Sequence, residues 1–262
     1  MRKDDTSATV FIDADNTLWD TDGVFAAAQL NLLAAIEQAT GKKIIDSNRL
    51  AFVRVADQAL AERHHAGLRY PPRLLINALA DVLHGEDVER AARLALTGSS
   101  VAHLSDDQAP PLISAYFDDL GHRPALRPGV HAGLVALKDI GCTVLILTEG
   151  AQARVKRTAE ELGLVGFFTR IVEGAKRPDL FRRMLRLTDA PDNAFMVGDQ
   201  LDRDIAPAKA AGVNTIYFPG GFQPRWAPDL QSIRPDHVIA SFAEVPNIVL
   251  NFISESKRSK PL

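Results

Sequence analysis

Carboxylates stand at the ends of apolar runs in this chain. The run Thr9-Val10-Phe11-Ile12 leads into Asp13-Ala14-Asp15-Asn16-Thr17. A later run, Ala194-Phe195-Met196-Val197, leads into Gly198-Asp199-Gln200-Leu201-Asp202-Arg203-Asp204. Between them, Thr143-Val144-Leu145-Ile146-Leu147 ends in Thr148-Glu149-Gly150, and Lys176 follows the run 168–172. A single polar residue at a strand end needs no special explanation. Several carboxylates crowded at one edge do, because they repel unless a cation or a proton compensates. Mg²⁺ is a hard cation that takes one or two carboxylates together with phosphate oxygens and waters. This set of groups therefore suits phosphoryl chemistry assisted by a divalent ion.

The elements that must position these residues are legible from hydrophobic periodicity. Strands are expected at 9–13, 143–148, 168–172, 194–198 and 214–218, with a weaker one at 237–240. Continuous apolar runs of this length suit strands buried on both faces. Helical patterns fall between them, near 129–140, 150–163, 178–188 and 203–211. Strand–helix alternation predicts an α/β fold, a Rossmann-like doubly wound parallel sheet. In such a sheet ligands bind beyond the carboxyl ends of the strands, where the polar residues above lie.

Residues 20–124 read differently. Ala, Leu, Arg and Glu dominate, and apolar spacing is helical near 23–39, 49–62, 73–84, 88–103 and 107–120. The pattern predicts an inserted α-helical domain over 20–124 and a core domain over 1–19 and 125–255. The Pro- and Gly-containing stretch 121–129 is the return linker. Residues 256–262 are polar and basic and are expected to form a flexible tail.

Composition narrows the function classes. Of 262 residues, 46% are hydrophobic and 24% charged, ordinary for a folded domain. The formal net charge of −3 offers no basic surface for nucleic acid or an anionic membrane. Cys142 is the single cysteine, so no internal disulfide forms, which predicts a cytoplasmic protein. The first eight residues lack the apolar centre of a signal peptide. No apolar stretch reaches the roughly 20 residues of a membrane helix.

Asp-x-Asp-x-Thr after the first strand, Thr after the second, a later Lys, and Gly-Asp-x-x-x-x-Asp resemble, in order, the four motifs of the haloacid dehalogenase superfamily. The resemblance covers about 1–19 and 125–240. The helical insert resembles the cap of that superfamily's first cap type. The resemblance implies a Mg²⁺-dependent phosphatase acting on a small phosphorylated metabolite through an aspartyl-phosphate. Asp13 matches the nucleophile. Asp15 matches the general acid/base, with its backbone carbonyl as a metal ligand. Dehalogenases of the superfamily lack an acid there, so Asp15 favours phosphoester chemistry. Asp199 matches the acidic metal ligand, and Asp204 matches a second acid in the outer shell. Asp202 reads as solvated or as a helix start. Thr148 matches the hydroxyl that binds a phosphoryl oxygen and also suits a helix N-cap. Glu149 and Gly150 fall beside it in the substrate-binding loop, with Glu149 replacing a frequent Asn. Lys176 matches the motif cation, although the sequence Lys176-Arg177-Pro178 leaves Arg177 as an alternative register. Asn16 and Thr17 shape the turn after the nucleophile, and Trp19 reads as core.

A cap of this kind selects the substrate. Arg54, Arg63, His64, His65, Arg69 and Tyr70 are its basic and aromatic candidates for an anionic leaving group. The pair His64-His65 is not a metal site if both lie on one helix, since neighbours there diverge by about 100°. The loop Phe218-Pro219-Gly220-Gly221-Phe222, with Trp226, is expected to border the site. Competing readings are a phosphomutase of the same superfamily, a dehalogenase, or a catalytically silent binding module. The sequence sets neither the substrate nor the oligomeric state.

Overall fold

The apolar run Thr9–Ile12 (β1) is buried along its whole length. A strand with both faces covered sits inside a sheet, and β1 does. It pairs in parallel with Thr143–Thr148 (β2) on one side and Ala194–Gly198 (β4) on the other. Arg170–Glu173 (β3) extends the sheet beyond β2. Asn214–Tyr217 (β5) and His237–Val238 (β6) extend it beyond β4. The six-stranded order is β3-β2-β1-β4-β5-β6, all parallel. The chain thus reverses its direction of travel at β1, and the crevice between the ends of β1 and β4 is the switch point where α/β sheets bind ligands. These features come from a computed structural model, which describes residues 8–45, 47–65, 67, 70–101, 104–105, 107–189 and 193–259.

The chain divides into two compact units, one of residues 1–22 and 123–262 and the other of 23–122. In the first, side-chain alternation along the strands feeds two layers. Val10, Ile12, Val144, Ile146, Phe195 and Val197 point to one face. There they join Val130, Leu134 and Leu137 of Val130–Asp139 (α6), Val155 and Ala159 of Gln152–Glu161 (α7), and Val245 and Val249 of Val245–Ser259 (α11). Phe11, Leu145, Leu147 and Met196 point to the other face. They meet Phe181 and Met184 of Pro178–Thr188 (α8) and Ala208 of Ala206–Lys209 (α9). This is the doubly wound α/β arrangement. A short helix, Leu230–Ile233 (α10), precedes β6.

The second unit is helical: Thr21–Thr40 (α1), which begins in the first unit, then Arg49–Arg63 (α2), Pro72–Leu83 (α3), Val88–Thr97 (α4) and Ala109–Leu120 (α5). Ala28, Leu32 and Ile36 recur at helical spacing on α1 and close over Val53, Leu60, Leu75, Leu79 and Ala92. The helix expected over 88–103 stops at Thr97, where Gly98 takes the left-handed conformation at φ 68° and caps it. Glu37, engaged bidentately by Arg49 at 3.0 and 2.7 Å and by the Ile44 N–H at 3.0 Å, pins the connection between α1 and α2.

Other differences from the sequence reading sit at element ends. The strand expected at 168–172 is Arg170–Glu173, because Val165–Phe167 forms a 3₁₀ turn first. The helix expected over 203–211 is a wide π turn, Leu201–Ile205, followed by one turn of α-helix. The last helix, α11, runs to Ser259, into the stretch where the sequence suggests a tail. Among the described residues no helix is long and apolar enough to cross a membrane.

Candidate functional site

The strand register brings the carboxylates together. Ile12 pairs with Val197, and the Asp13 N–H donates to the Val197 carbonyl at 2.9 Å. Asp13 and Asp199 therefore leave adjacent strands side by side. Gly198 makes room for the third acid: a Cβ there would collide with Cβ and Cγ of Asp204. The π turn after Gln200 swings Asp204 back under the strand end, and its Oδ2 accepts the Gln200 N–H at 2.9 Å. Among the described residues Asp13, Asp199 and Asp204 are the one group placed to share a metal ion, with carboxylate oxygens within 4.8 Å of one another, all buried.

Lys176 enters this cluster. Its ammonium donates to Asp13 Oδ1 and, at 2.6 Å, to Asp204 Oδ1, and only 5% of its side chain is exposed. The alternative cation, Arg177, instead stands at the N-cap of α8. The electrostatics follow from three acids and one ammonium buried together. Burial pushes the Asp13 carboxyl up to about 7, Lys176 opposes it, and Asp204 adds to it. Asp199 is raised well above its ordinary range by burial and by the charges of Asp13 and Asp204. Burial disfavours the charged ammonium of Lys176, but Asp13 and Asp204 outweigh it and hold the group protonated beyond its ordinary range. Fully ionised, the three acids would carry more negative charge than Lys176 neutralises, so a proton or a cation must make up the difference.

Asp15 has separate partners. Trp19 Nε1 donates to its Oδ1 at 3.1 Å and Thr21 Oγ1 at 2.8 Å, and Arg154 grips both oxygens. Burial opposes ionisation, but the Arg154, Thr21 and Trp19 hydrogen bonds outweigh it and hold the carboxyl below its ordinary range. Trp19 is fully buried, as its core assignment requires. Asn16 adopts φ 58° in the turn, a left-handed conformation that Asn tolerates, and its Oδ1 accepts the Asp22 N–H at 2.7 Å. Thr17, also buried, directs its hydroxyl at Asp199 Oδ1, 3.5 Å away.

Thr148 ends β2, and its Oγ1 accepts the Gly150 N–H at 2.9 Å. The N-cap of α7 is Ala151, so Thr148 does not cap the helix. A side chain on Gly150 would begin 2.5 Å from Arg154 Nη2, 3.3 Å from Thr148 Oγ1 and 3.5 Å from Asp15 Oδ2. Gly150 thus joins the Thr148 and Asp15 sides of the site. The sequence reading assigns Glu149 to substrate binding. In the structure its carboxylate accepts the Lys176 N–H at 3.0 Å and Arg203 Nη1 at 3.1 Å. Asp202 is exposed. The loop after β5 does border the cluster: a Cβ on Gly220 would lie 2.9 Å from Asp199 Oδ2.

Three arginines escape the sequence reading. Arg154 lies one helical turn beyond Gly150, a spacing that returns a long side chain over the loop. Arg203 sits between two aspartates in a segment read for its acids alone. Arg127, in the stretch read as linker, stacks over Phe218 at 4.0 Å and donates to the Asn16 and Pro219 carbonyls, the latter at 2.8 Å. It ties the turn after β1 to the loop after β5.

In the helical unit, Arg63 pairs with Glu89 and donates to the Ala59 carbonyl at 2.8 Å. Tyr70 donates to Asp57, which also accepts from Gln29 at 3.0 Å. His64 has already left the helix, at ψ 133°, and its ring lies 4.3 Å from that of His65 rather than diverging from it. Arg54 lies on α2, and Arg69 lies outside the described residues.

Comparison with known proteins adds to this geometry. A family model described as haloacid dehalogenase-like hydrolase matches residues 8–212. A phosphoglycolate phosphatase of Nitrosococcus oceani is 28% identical over 176 residues, covering 63% of this chain and 77% of the relative. A glyceraldehyde 3-phosphate phosphatase of Pyrococcus furiosus is 34% identical over 101 residues, which are 36% of this chain and 42% of that protein. The crystal structure of a haloacid dehalogenase-like hydrolase from Xanthomonas campestris superposes with a TM-score of 0.63 at 19% identity, over 97% of this chain and 99% of that one.

Proposed function

This chain belongs to the haloacid dehalogenase-like hydrolases, and we propose that within that family it is a phosphatase of small phosphorylated metabolites with Asp13 as nucleophile. The observation that carries the reading is Lys176 buried between Asp13 and Asp204 with Asp199 alongside. Buried charge of this kind is costly, which favours a functional role over a structural one. The phosphatase names of the two relatives point to the same chemistry.

In this reading an Asp13 oxygen attacks phosphorus and the ester P–O bond breaks. Lys176 meets the charge on the transferring group. Thr148 binds a phosphoryl oxygen through its own O–H. Asp15 gives a proton to the departing oxygen, then takes one from the water that hydrolyses the aspartyl-phosphate. For that exchange Asp15 must drop one of its present donors. Arg154 is the one to release, since its side chain is about half exposed while Trp19 is locked in the core.

The donor set fits Mg²⁺, because hard carboxylate oxygens in excess over one ammonium suit a hard dication. The carboxylates of Asp13 and Asp199 and the carbonyl of Asp15 would hold it. Asp204, committed to Lys176 and Gln200, stands behind them. When bound, the ion supplies a positive charge that offsets the phosphoryl oxygens. The single, half-buried Cys142 supports the cytoplasmic reading.

The test is a screen of phosphorylated metabolites and p-nitrophenyl phosphate with and without Mg²⁺. Metal-dependent release of free phosphate is expected. Phosphate retained on an isomerised product would mark a mutase instead, and halide release without metal a dehalogenase.

A further inference from the structure

Glu149 stands where a carboxylate should be unwelcome, next to the hydroxyl that meets a phosphoryl group. The structure shows where its charge goes. Oε1 accepts the main-chain N–H of Lys176 at 3.0 Å, and Oε2 accepts Arg203 Nη1 at 3.1 Å. Arg203 is followed by Asp204, whose Oδ1 holds the Lys176 ammonium at 2.6 Å. The contacts close into a ring running from Glu149 to the Lys176 main chain, along its side chain to Asp204, and back through Arg203. A single side chain thus couples the segment after β2, the segment after β3 and the segment after β4.

Among the described residues, few main-chain hydrogen bonds hold the segment 174–177. The Gly174 N–H reaches the Thr148 carbonyl at 2.9 Å, and the Arg177 N–H reaches the Ala175 carbonyl at 2.9 Å. Between them the Lys176 amide bonds to Glu149. The following helix starts at Pro178 with no side-chain cap. An Asn at 149 is one methylene shorter, so its acceptor does not reach the Lys176 main chain as the Glu149 carboxylate does.

We propose that Glu149 is a positioning residue that holds Lys176 in register with Asp13 by accepting its main-chain N–H, with Arg203 as the anchor that aims the carboxylate. The inference rests on the phosphatase reading for its kinetic consequence and on the hydrogen-bond ring for its structural one. The ion pair to Arg203 adds little stability by itself, because the Arg203 side chain is 53% exposed and water screens the pair. What matters is the acceptor at Oε1.

The experiment compares Glu149→Ala with Glu149→Gln in the full chain, the latter keeping an acceptor of the same reach. Turnover of p-nitrophenyl phosphate, inhibition by vanadate and by inorganic phosphate, and amide exchange at Lys176 by NMR are the readouts. In Glu149→Ala, kcat falls about 10–100-fold, the usual range for a partner that orients an active group. KM changes less than about threefold, since a transition-state contact is what is lost. Vanadate binding weakens in step with kcat while phosphate binding barely moves. Lys176 amide exchange quickens by about tenfold or more. Glu149→Gln recovers most of each loss. The proposal is overturned if Glu149→Ala keeps its kcat within about twofold, if Gln rescues no better than Ala, or if exchange at Lys176 is unchanged. Should the unsubstituted protein hydrolyse no phosphomonoester, the phosphatase reading fails alone, and the exchange data still decide whether Glu149 holds the Lys176 main chain.

Discussion

Chelation of divalent ions should make this protein's stability depend on pH in a way that most soluble domains do not show. Burial raises the Asp13 carboxyl from an ordinary 3.8 to about 7. A carboxyl raised in the folded state binds its proton more tightly there than in the unfolded chain. Its contribution to stability is fully present below about pH 4 and is lost as pH rises through about 7. The full swing follows from that displacement at 1.36 kcal/mol for each tenfold in proton affinity, which gives about 4 kcal/mol. Asp199 moves in the same direction and adds to the loss. Urea unfolding at pH 5 and pH 8 in chelator should therefore show a large fall in stability at the higher pH. Excess Mg²⁺ should remove most of the fall, because the ion binds the ionised cluster. Asp13→Asn, which cannot ionise, should flatten the chelated profile. A chelated profile that is flat or rises over this window, and is the same in Asp13→Asn, would refute the electrostatic account of the site.

Two other substitutions probe how the cluster is built. Gly198→Ala drives a methyl into Asp204 and displaces it from Lys176; a loss of about 1–3 kcal/mol, typical of overpacking, is expected together with loss of turnover, and a fully active variant would contradict the close packing. Arg154→Gln removes the clamp on Asp15, whose carboxyl lies below its ordinary range. That stabilisation exists above the unfolded carboxylate pKa and disappears as pH falls through the folded one. The variant should lose no more than about 1 kcal/mol at pH 7, given the exposure of Arg154, and the gap should close in acid. A gap that widens as pH falls, measured by the same unfolding assay, would be the contrary result.

The sheet was readable because parallel strands buried on both faces announce themselves as unbroken apolar runs, and the carboxylates follow those runs directly. Motif order brings Asp13, Asp15, Lys176 and Asp199 to one edge with Asp204 behind them; in the structure Asp13, Lys176, Asp199 and Asp204 form the cluster, while the Asp15 carboxylate is held by Arg154, Trp19 and Thr21. What stayed hidden depended on side-chain reach. Arg127, Arg154 and Arg203 act through long guanidinium arms on partners 54 to 139 residues away in the chain. No local pattern encodes such pairings. The π turn at Leu201–Ile205 was equally invisible, since its hydrogen bonding is set by the close approach of Asp204 to Gly198 rather than by helix propensity. The C-terminal helix α11 carries a helical stripe of its own, Val245, Ile248, Val249, Phe252 and Ile253, which the sequence reading passed over because the polar end of the chain follows it.

The central claim is that Asp13 becomes phosphorylated during turnover. Acid quenching of the enzyme with a phosphorus-labelled substrate, followed by peptide mass spectrometry, reads this directly. Label is expected on the peptide that contains Asp13 and on none in Asp13→Asn, which should fold but not turn over. Sustained turnover by Asp13→Asn, or a steady burst of hydrolysis with label on no peptide, would contradict it.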